Sequence, residues 1–121
     1  MATVKQYLAD ALAGHGVDHV FGVPADFVLE FFQHLEQSGA PQAVRMNDEP
    51  QAGAAADAYG RLRGLAAVVV TYGAGGFKVV NSTAQAYVEN SPVLVISGAP
   101  SQDEYLKGTS LLHYRIHHVV K

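Results

Sequence analysis

The chain has 121 residues, 49% of them apolar and 16% charged, which is enough to bury one core and is not the composition of a disordered chain. A formal charge of −3 gives no electrostatic reason to expect a nucleic-acid backbone or an acidic membrane as partner. The lack of cysteine excludes a disulfide framework and a thiolate metal site, and the sequence contains neither a signal-peptide pattern nor an apolar run of the ~20 residues that span a bilayer. A cytoplasmic protein is the expectation.

In chain order, Val4, Tyr7, Leu8, Ala11 and Leu12 fall at i, i+3, i+4, i+7 and i+8, the stripe of an amphipathic helix, which Gly14 and Gly16 end. Asp18 to Phe21 reads as a short buried strand stopped by Gly22-Val23-Pro24. Asp26 then opens an apolar-periodic segment through Phe27, Phe31, Phe32 and Leu35. The unit repeats with a strand at Gln42 to Arg45, a turn at Asn47 to Pro50 and an alanine-rich helix from Gln51 to about Arg63, Pro50 fitting the first helical turn. Leu65 to Val70 is a fully buried strand. Thr71 to Gly76 follows as a glycine-rich turn, then one helix to about Asn90 and a strand at Val93 to Ser97. Ser101 to Gly108 reads as a polar loop, and Leu111 to Lys121 carries no further strand–helix unit.

Strands alternating with helices predict a single α/β domain over 1–121, a doubly wound, flavodoxin- or Rossmann-like sheet, mostly parallel, with helices on both faces. In such sheets ligands gather at the carboxyl ends of the strands, which here collects Asp26, Glu49, Thr71 and the backbone around Gly73. Each admits a plainer reading. Carboxylates opening a helix serve as caps, and Gly73-x-Gly75-Gly76 is either a phosphate cradle or a tight turn that departs from G-x-G-x-x-G. The small residues from Ala52 to Gly60 suit close helix packing within the domain or an interface. His113, His117 and His118 lack metal-ligand spacing.

Seven segments in order carry a family likeness: Tyr7-Leu8-Ala9; His19 to Pro24 with Asp26; Asn47-Asp48-Glu49 with Ala55 to Arg61; Thr71 to Gly75; Ala86 to Val93; Ser97 to Pro100; and Leu111-Leu112-His113. End to end the chain resembles the amino-terminal, pyrimidine-binding domain of the thiamine-diphosphate-dependent 2-oxo-acid decarboxylases, the pyruvate, indolepyruvate and phenylpyruvate decarboxylases. The resemblance implies a lyase that converts a 2-oxo acid to an aldehyde, with thiamine diphosphate as cofactor. It also implies that the glutamate matching Glu49 bonds the aminopyrimidine ring and promotes removal of the thiazolium C2 proton. Sharing a proton with a ring nitrogen is favoured when a carboxyl is desolvated and opposed at a helix start. By the same resemblance Asp26 and His113 manage protons during aldehyde release, and Pro24, Thr71 and Gly73 line the pyrimidine pocket.

Three positions depart from the family pattern: Tyr114 stands where a second histidine is usual, Ala25 replaces a glycine, and Pro50 replaces an apolar residue. Tyr114 is therefore a candidate for the substrate pocket. No Gly-Asp-Gly…Asn segment is present to hold Mg2+ and diphosphate. The resemblance places these on a carboxyl-terminal domain, so the chain is expected to be a fragment, inactive alone, of a homodimer or homotetramer whose site lies between subunits. An acid at Asp26 favours a decarboxylase over an acetolactate-synthase-like carboligase. The small subunit of a two-chain decarboxylase and, in a different class, a nucleotide-binding or interaction module are the alternatives.

Overall fold

The computed structural model describes residues 2–107. Its elements are α1 (Val4–Gly14), β1 (His19–Gly22), α2 (Leu29–Ser38), β2 (Gln42–Arg45), α3 (Glu49–Arg63), β3 (Ala66–Thr71), α4 (Ala74–Lys78), α5 (Val80–Val88), β4 (Val93–Gly98) and α6 (Gln102–Lys107). The sheet is parallel throughout, in the order β2-β1-β3-β4. The α/β expectation is met.

Alternation along the strands divides the core in two. Val20 of β1 with Ala67 and Val69 of β3 pack against Ala9 and Leu12 of α1 and Phe31, Phe32 and Leu35 of α2. Phe21 with Ala66, Val68 and Val70 points the other way, onto Ala52 and Ala56 of α3 and onto Val79. Five successive buried residues in β3 follow from this double cover, as continuous apolar strands do in parallel sheets. The small residues of α3 also find their use inside the domain: a Cβ on Gly53 would strike the Ser82 side chain of α5, and one on Gly60 would lie 2.9 Å from the Pro92 carbonyl. Ala54 and Ala58, on the far side of α3, remain exposed.

α1 begins with a reciprocal cap in which Thr3 Oγ1 accepts from the Gln6 N–H at 3.3 Å and Gln6 Oε1 accepts from the Thr3 N–H at 2.9 Å. Its buried stripe is Ala9 and Leu12 with Leu8 beside them; Val4 and Tyr7, read as part of it, face outward.

Three elements differ from the sequence reading. α2 starts at Leu29 rather than at Asp26, with Val28 as the boundary residue and no side-chain cap. The helix expected to run unbroken to Asn90 is interrupted at Val79. That residue's carbonyl accepts from Ser82 Oγ (3.0 Å), Thr83 Oγ1 (2.8 Å) and the Thr83 N–H (2.9 Å), and such back-bonding bends helices. The stretch read as a polar loop contains α6, whose start is held by Ser101 Oγ and the Ser101 N–H, each donating to Glu104 Oε2 at 2.9 Å.

β1 lies between β2 and β3, so the connections after β1 and β3 leave in opposite directions and open a crevice at their carboxyl ends. The chain stays tight there. Gly22, the last residue of β1, pairs with Val69, and a Cβ on it would collide with the Val69 carbonyl oxygen and approach Phe32 Cζ to 2.7 Å. Gly98 at the end of β4 is covered by the loop after β1, where a Cβ would strike the Phe27 carbonyl and reach Val28 Cγ1 at 2.5 Å. The Phe27 ring meets Tyr72 edge-on, with centroids 5.2 Å apart.

Candidate functional site

Glu49 is the first residue of α3, yet it does not cap the helix. Asp48 does so, in extended conformation (φ −152°, ψ 149°), its Oδ1 accepting from the Glu49 N–H at 3.0 Å. Nor does Asp26 cap α2, which begins three residues later. Neither carboxylate is therefore the capping residue, while Glu49 still stands in the first turn of α3, where the helix dipole favours negative charge.

The Glu49 carboxylate turns inward along the edge of the sheet, its side chain only 13% exposed. Its Oε1 lies over the backbone of Gly75: a Cβ built there would be 3.3 Å from Glu49 Oε1 and 3.1 Å from Thr71 Cγ2. A side chain at position 75 would thus fill the space that Glu49 and Thr71 border. Gly73, with φ +69°, supplies the left-handed turn that carries the chain from β3 into α4. Thr71 ends β3, and its Oγ1 is buried without a hydrogen-bond partner among the described residues. Buried hydroxyls are ordinarily satisfied, so the orphan on Thr71, the residue whose Cγ2 borders the same space as Glu49 Oε1, is a group whose missing bond a polar ligand could supply.

The other oxygen of Glu49, Oε2, accepts from Lys78 Nζ at 3.1 Å, and the same ammonium donates to Asp48 Oδ1 at 2.8 Å. The hydrogen bond to Asp48 and then that to Glu49 raise the Lys78 pKa, while the Lys78 hydrogen bond holds the Asp48 carboxyl below its usual range. The signs give the window. Asp48's share of the bridge is lost only as pH falls through its lowered value, and Lys78's only as pH rises through its raised one. Across neutral pH the Asp48–Lys78 pair persists.

Lys78 is the residue that sequence reasoning missed. It is the only lysine or arginine between Arg63 and Lys107, and the adjacent acids Asp48 and Glu49 needed a counter-charge; that pairing was the available signal.

Asp26 is exposed and belongs to the first face. It borders a hollow of about 490 Å³ with Thr3, Lys5, Leu8, Phe31 and Ile96, whereas Glu49 opens α3 on the second. Both are at the carboxyl edge, on different sides of the crevice. Pro24 is partly exposed in the loop between β1 and α2. His113 and Tyr114 lie outside the described residues. Among the described residues no three His, Asp or Glu side chains converge as a metal site, and no helix is long and apolar enough to cross a membrane. As a phosphate cradle the glycine turn is poorly suited, because Glu49 Oε1 already puts negative charge against Gly75.

Comparison with known proteins identifies the family. A model of the thiamine pyrophosphate enzyme N-terminal TPP-binding domain matches residues 2–118. An alpha-keto-acid decarboxylase of Mycobacterium ulcerans (strain Agy99) is 48% identical over 101 residues, covering 84% of this chain and 18% of the relative. The protein of the same name from Mycobacterium tuberculosis (strain ATCC 25618 / H37Rv) is 46% identical over the same shares, and that from Mycobacterium leprae (strain TN) is 43% identical over 116 residues, 96% of this chain and 20% of the relative. The chain thus spans about a fifth of the length of these relatives.

Proposed function

The chain belongs to the thiamine pyrophosphate enzymes, as their N-terminal TPP-binding domain, and from that premise we propose that it forms the pyrimidine half of the active site of a 2-oxo-acid decarboxylase. The observation that carries the proposal is the juxtaposition, at the crevice edge, of the inward carboxylate of Glu49, the unpartnered buried hydroxyl of Thr71 and the bare backbone of Gly75. A flat heteroaromatic ring suits that space: it needs room that a Cβ would take and a carboxyl for a ring nitrogen. Glu49, Thr71 and the Gly73 turn would hold it.

When bound, thiamine diphosphate supplies a carbon nucleophile and an electron sink for loss of carbon dioxide from a 2-oxo acid. The chain's part is placement and proton handling. Glu49 shares a proton with the ring nitrogen, its low exposure excluding the water that would otherwise compete. Asp26, wet and on the other side of the crevice, is the proton-handling group for release of the aldehyde, with His113 as its companion. Pro24 stiffens the loop that carries Asp26, and Tyr114 is assigned to the substrate pocket. Mg2+ and the diphosphate belong to a carboxyl-terminal domain, contributed by another subunit of a cytoplasmic homodimer or homotetramer.

Full-length protein supplied with thiamine diphosphate, Mg2+ and pyruvate, phenylpyruvate or indolepyruvate is expected to release carbon dioxide and the matching aldehyde. Acyloin as the dominant product would assign it to the carboligases, and no turnover of any 2-oxo acid would refute the reading. Thr71→Val is expected to leave the thermal stability of the cofactor-free protein within about 0.5 kcal/mol, since it removes a hydroxyl that has no hydrogen-bond partner among the described residues. The same change should weaken cofactor binding by about three- to tenfold, the worth of one hydrogen bond. Calorimetry of melting and of cofactor titration measures both.

A further inference from the structure

The geometry points to Lys78 as a movable counter-ion, a positioning residue that holds the Glu49 carboxylate through Oε2 before the cofactor arrives and retires onto Asp48 when the pyrimidine ring engages Oε1. The inference rests on the pyrimidine reading of the Glu49 site. Its physical basis is the way one ammonium is divided between two unequal carboxylates. Lys78 Nζ is 2.8 Å from Asp48 Oδ1 and 3.1 Å from Glu49 Oε2, with side-chain exposures of 54% for Lys78, 41% for Asp48 and 13% for Glu49. The cation therefore sits at the mouth of the site, between an outer acid in contact with solvent and an inner one turned from it.

Both carboxylates are needed for such an arrangement. Glu49 Oε1 faces Gly75, so Oε2 is the oxygen that the ammonium occupies. An ammonium on the carboxylate competes with the ring for the same negative charge. Lys78 must therefore withdraw for the ring to be engaged. Withdrawal into water alone would leave its charge without the partner it has; Asp48 removes that cost, because the shorter bond is already made. Asp48 is also fixed in place, its Oδ1 accepting from the Glu49 N–H. A lysine suits the task, having three donors on a flexible stem and no rigid fork to break.

The two acids should thus have opposite effects on the lysine's behaviour, and this separates a movable counter-ion from a structural tie. Binding of thiamine diphosphate with Mg2+ to the full-length protein is measured by calorimetric titration at low and high salt, with the melting temperature of each variant as the check on folding. Lys78→Met is expected to bind roughly three- to tenfold tighter than the wild type, the range of a partly exposed ion pair. That advantage should shrink as salt is raised, because salt already weakens the pair in the wild type. Asp48→Asn keeps a capping side chain but leaves the ammonium only Glu49, and it should bind more weakly by a similar factor. The double variant should match Lys78→Met.

If Lys78→Met and Asp48→Asn shift affinity in the same direction, if neither moves it, or if the double variant follows Asp48→Asn, Lys78 is an ordinary structural tie and the inference fails while the pyrimidine reading stands. Should the wild type itself not bind the cofactor, that reading fails first and the inference with it. Lys78→Gln repeats the measurement, without charge and with a polar end, if the methionine lowers the melting temperature.

Discussion

Replacing Glu49 by glutamine in the full-length enzyme is expected to slow exchange of the C2 proton of bound cofactor by about two to four orders of magnitude, the usual contribution of a positioned acid–base group. Glutamine has nearly the same shape, so it keeps its place over Gly75 and against Thr71, and the pocket should still admit the ring. What it loses is the ability to accept and return a proton. Proton NMR after rapid mixing with deuterium oxide follows the exchange directly, apart from any later step. Unchanged exchange in a variant that still binds cofactor would remove Glu49 from the chemistry and leave it only a counter-charge for Lys78.

A large structural effect is expected at Gly22. A methyl group there meets the carbonyl oxygen of Val69 and comes within 2.7 Å of Phe32 Cζ. The ring could turn aside, but the carbonyl belongs to the central strand, with β1 on one side and β4 on the other. Relief therefore requires breaking a ladder. Overpacking in cores costs about 1–3 kcal/mol, and a backbone obstacle places Gly22→Ala at about 3 kcal/mol or beyond, a large share of the 5–15 kcal/mol that stabilises a typical domain. Gly14→Ala is the control: it stands at the end of α1 with nothing among the described residues within 4 Å of the added carbon, and it should be neutral or stabilising by up to about 1 kcal/mol. Thermal unfolding and soluble yield of the full-length protein report both. Equal behaviour of the two variants would mean that β1 and β3 are not held at this spacing.

The strands were legible because each is a short apolar run bounded by turn residues, and the continuous run from Ala66 to Val70 announced a sheet covered on both sides. Periodicity overreached at Asp26, because Phe27 and Val28 belong in hydrophobic pattern to the helix but in position to a turn packed on Gly98. It overreached again across Val79, where the interruption arises from side-chain donors competing for one carbonyl and not from any breaker residue. In the site, Glu49, Thr71 and the glycine turn could be placed at one edge from strand order alone. Their contact through Gly75 could not, since it depends on the direction in which a single side chain leaves α3. Lys78 lay hidden for the same reason, 30 residues from the acid it meets.

The bare end of β4 has a further effect on the opposite side of the crevice. Because Gly98 has no side chain, the loop after β1 rests flush on the sheet, and Tyr72 flanks Phe27 at the same point. Asp26 is consequently a carboxylate beside a packed stretch of main chain, with its own head group exposed. In its proposed role, that head group meets solvent without any part of the domain having to open.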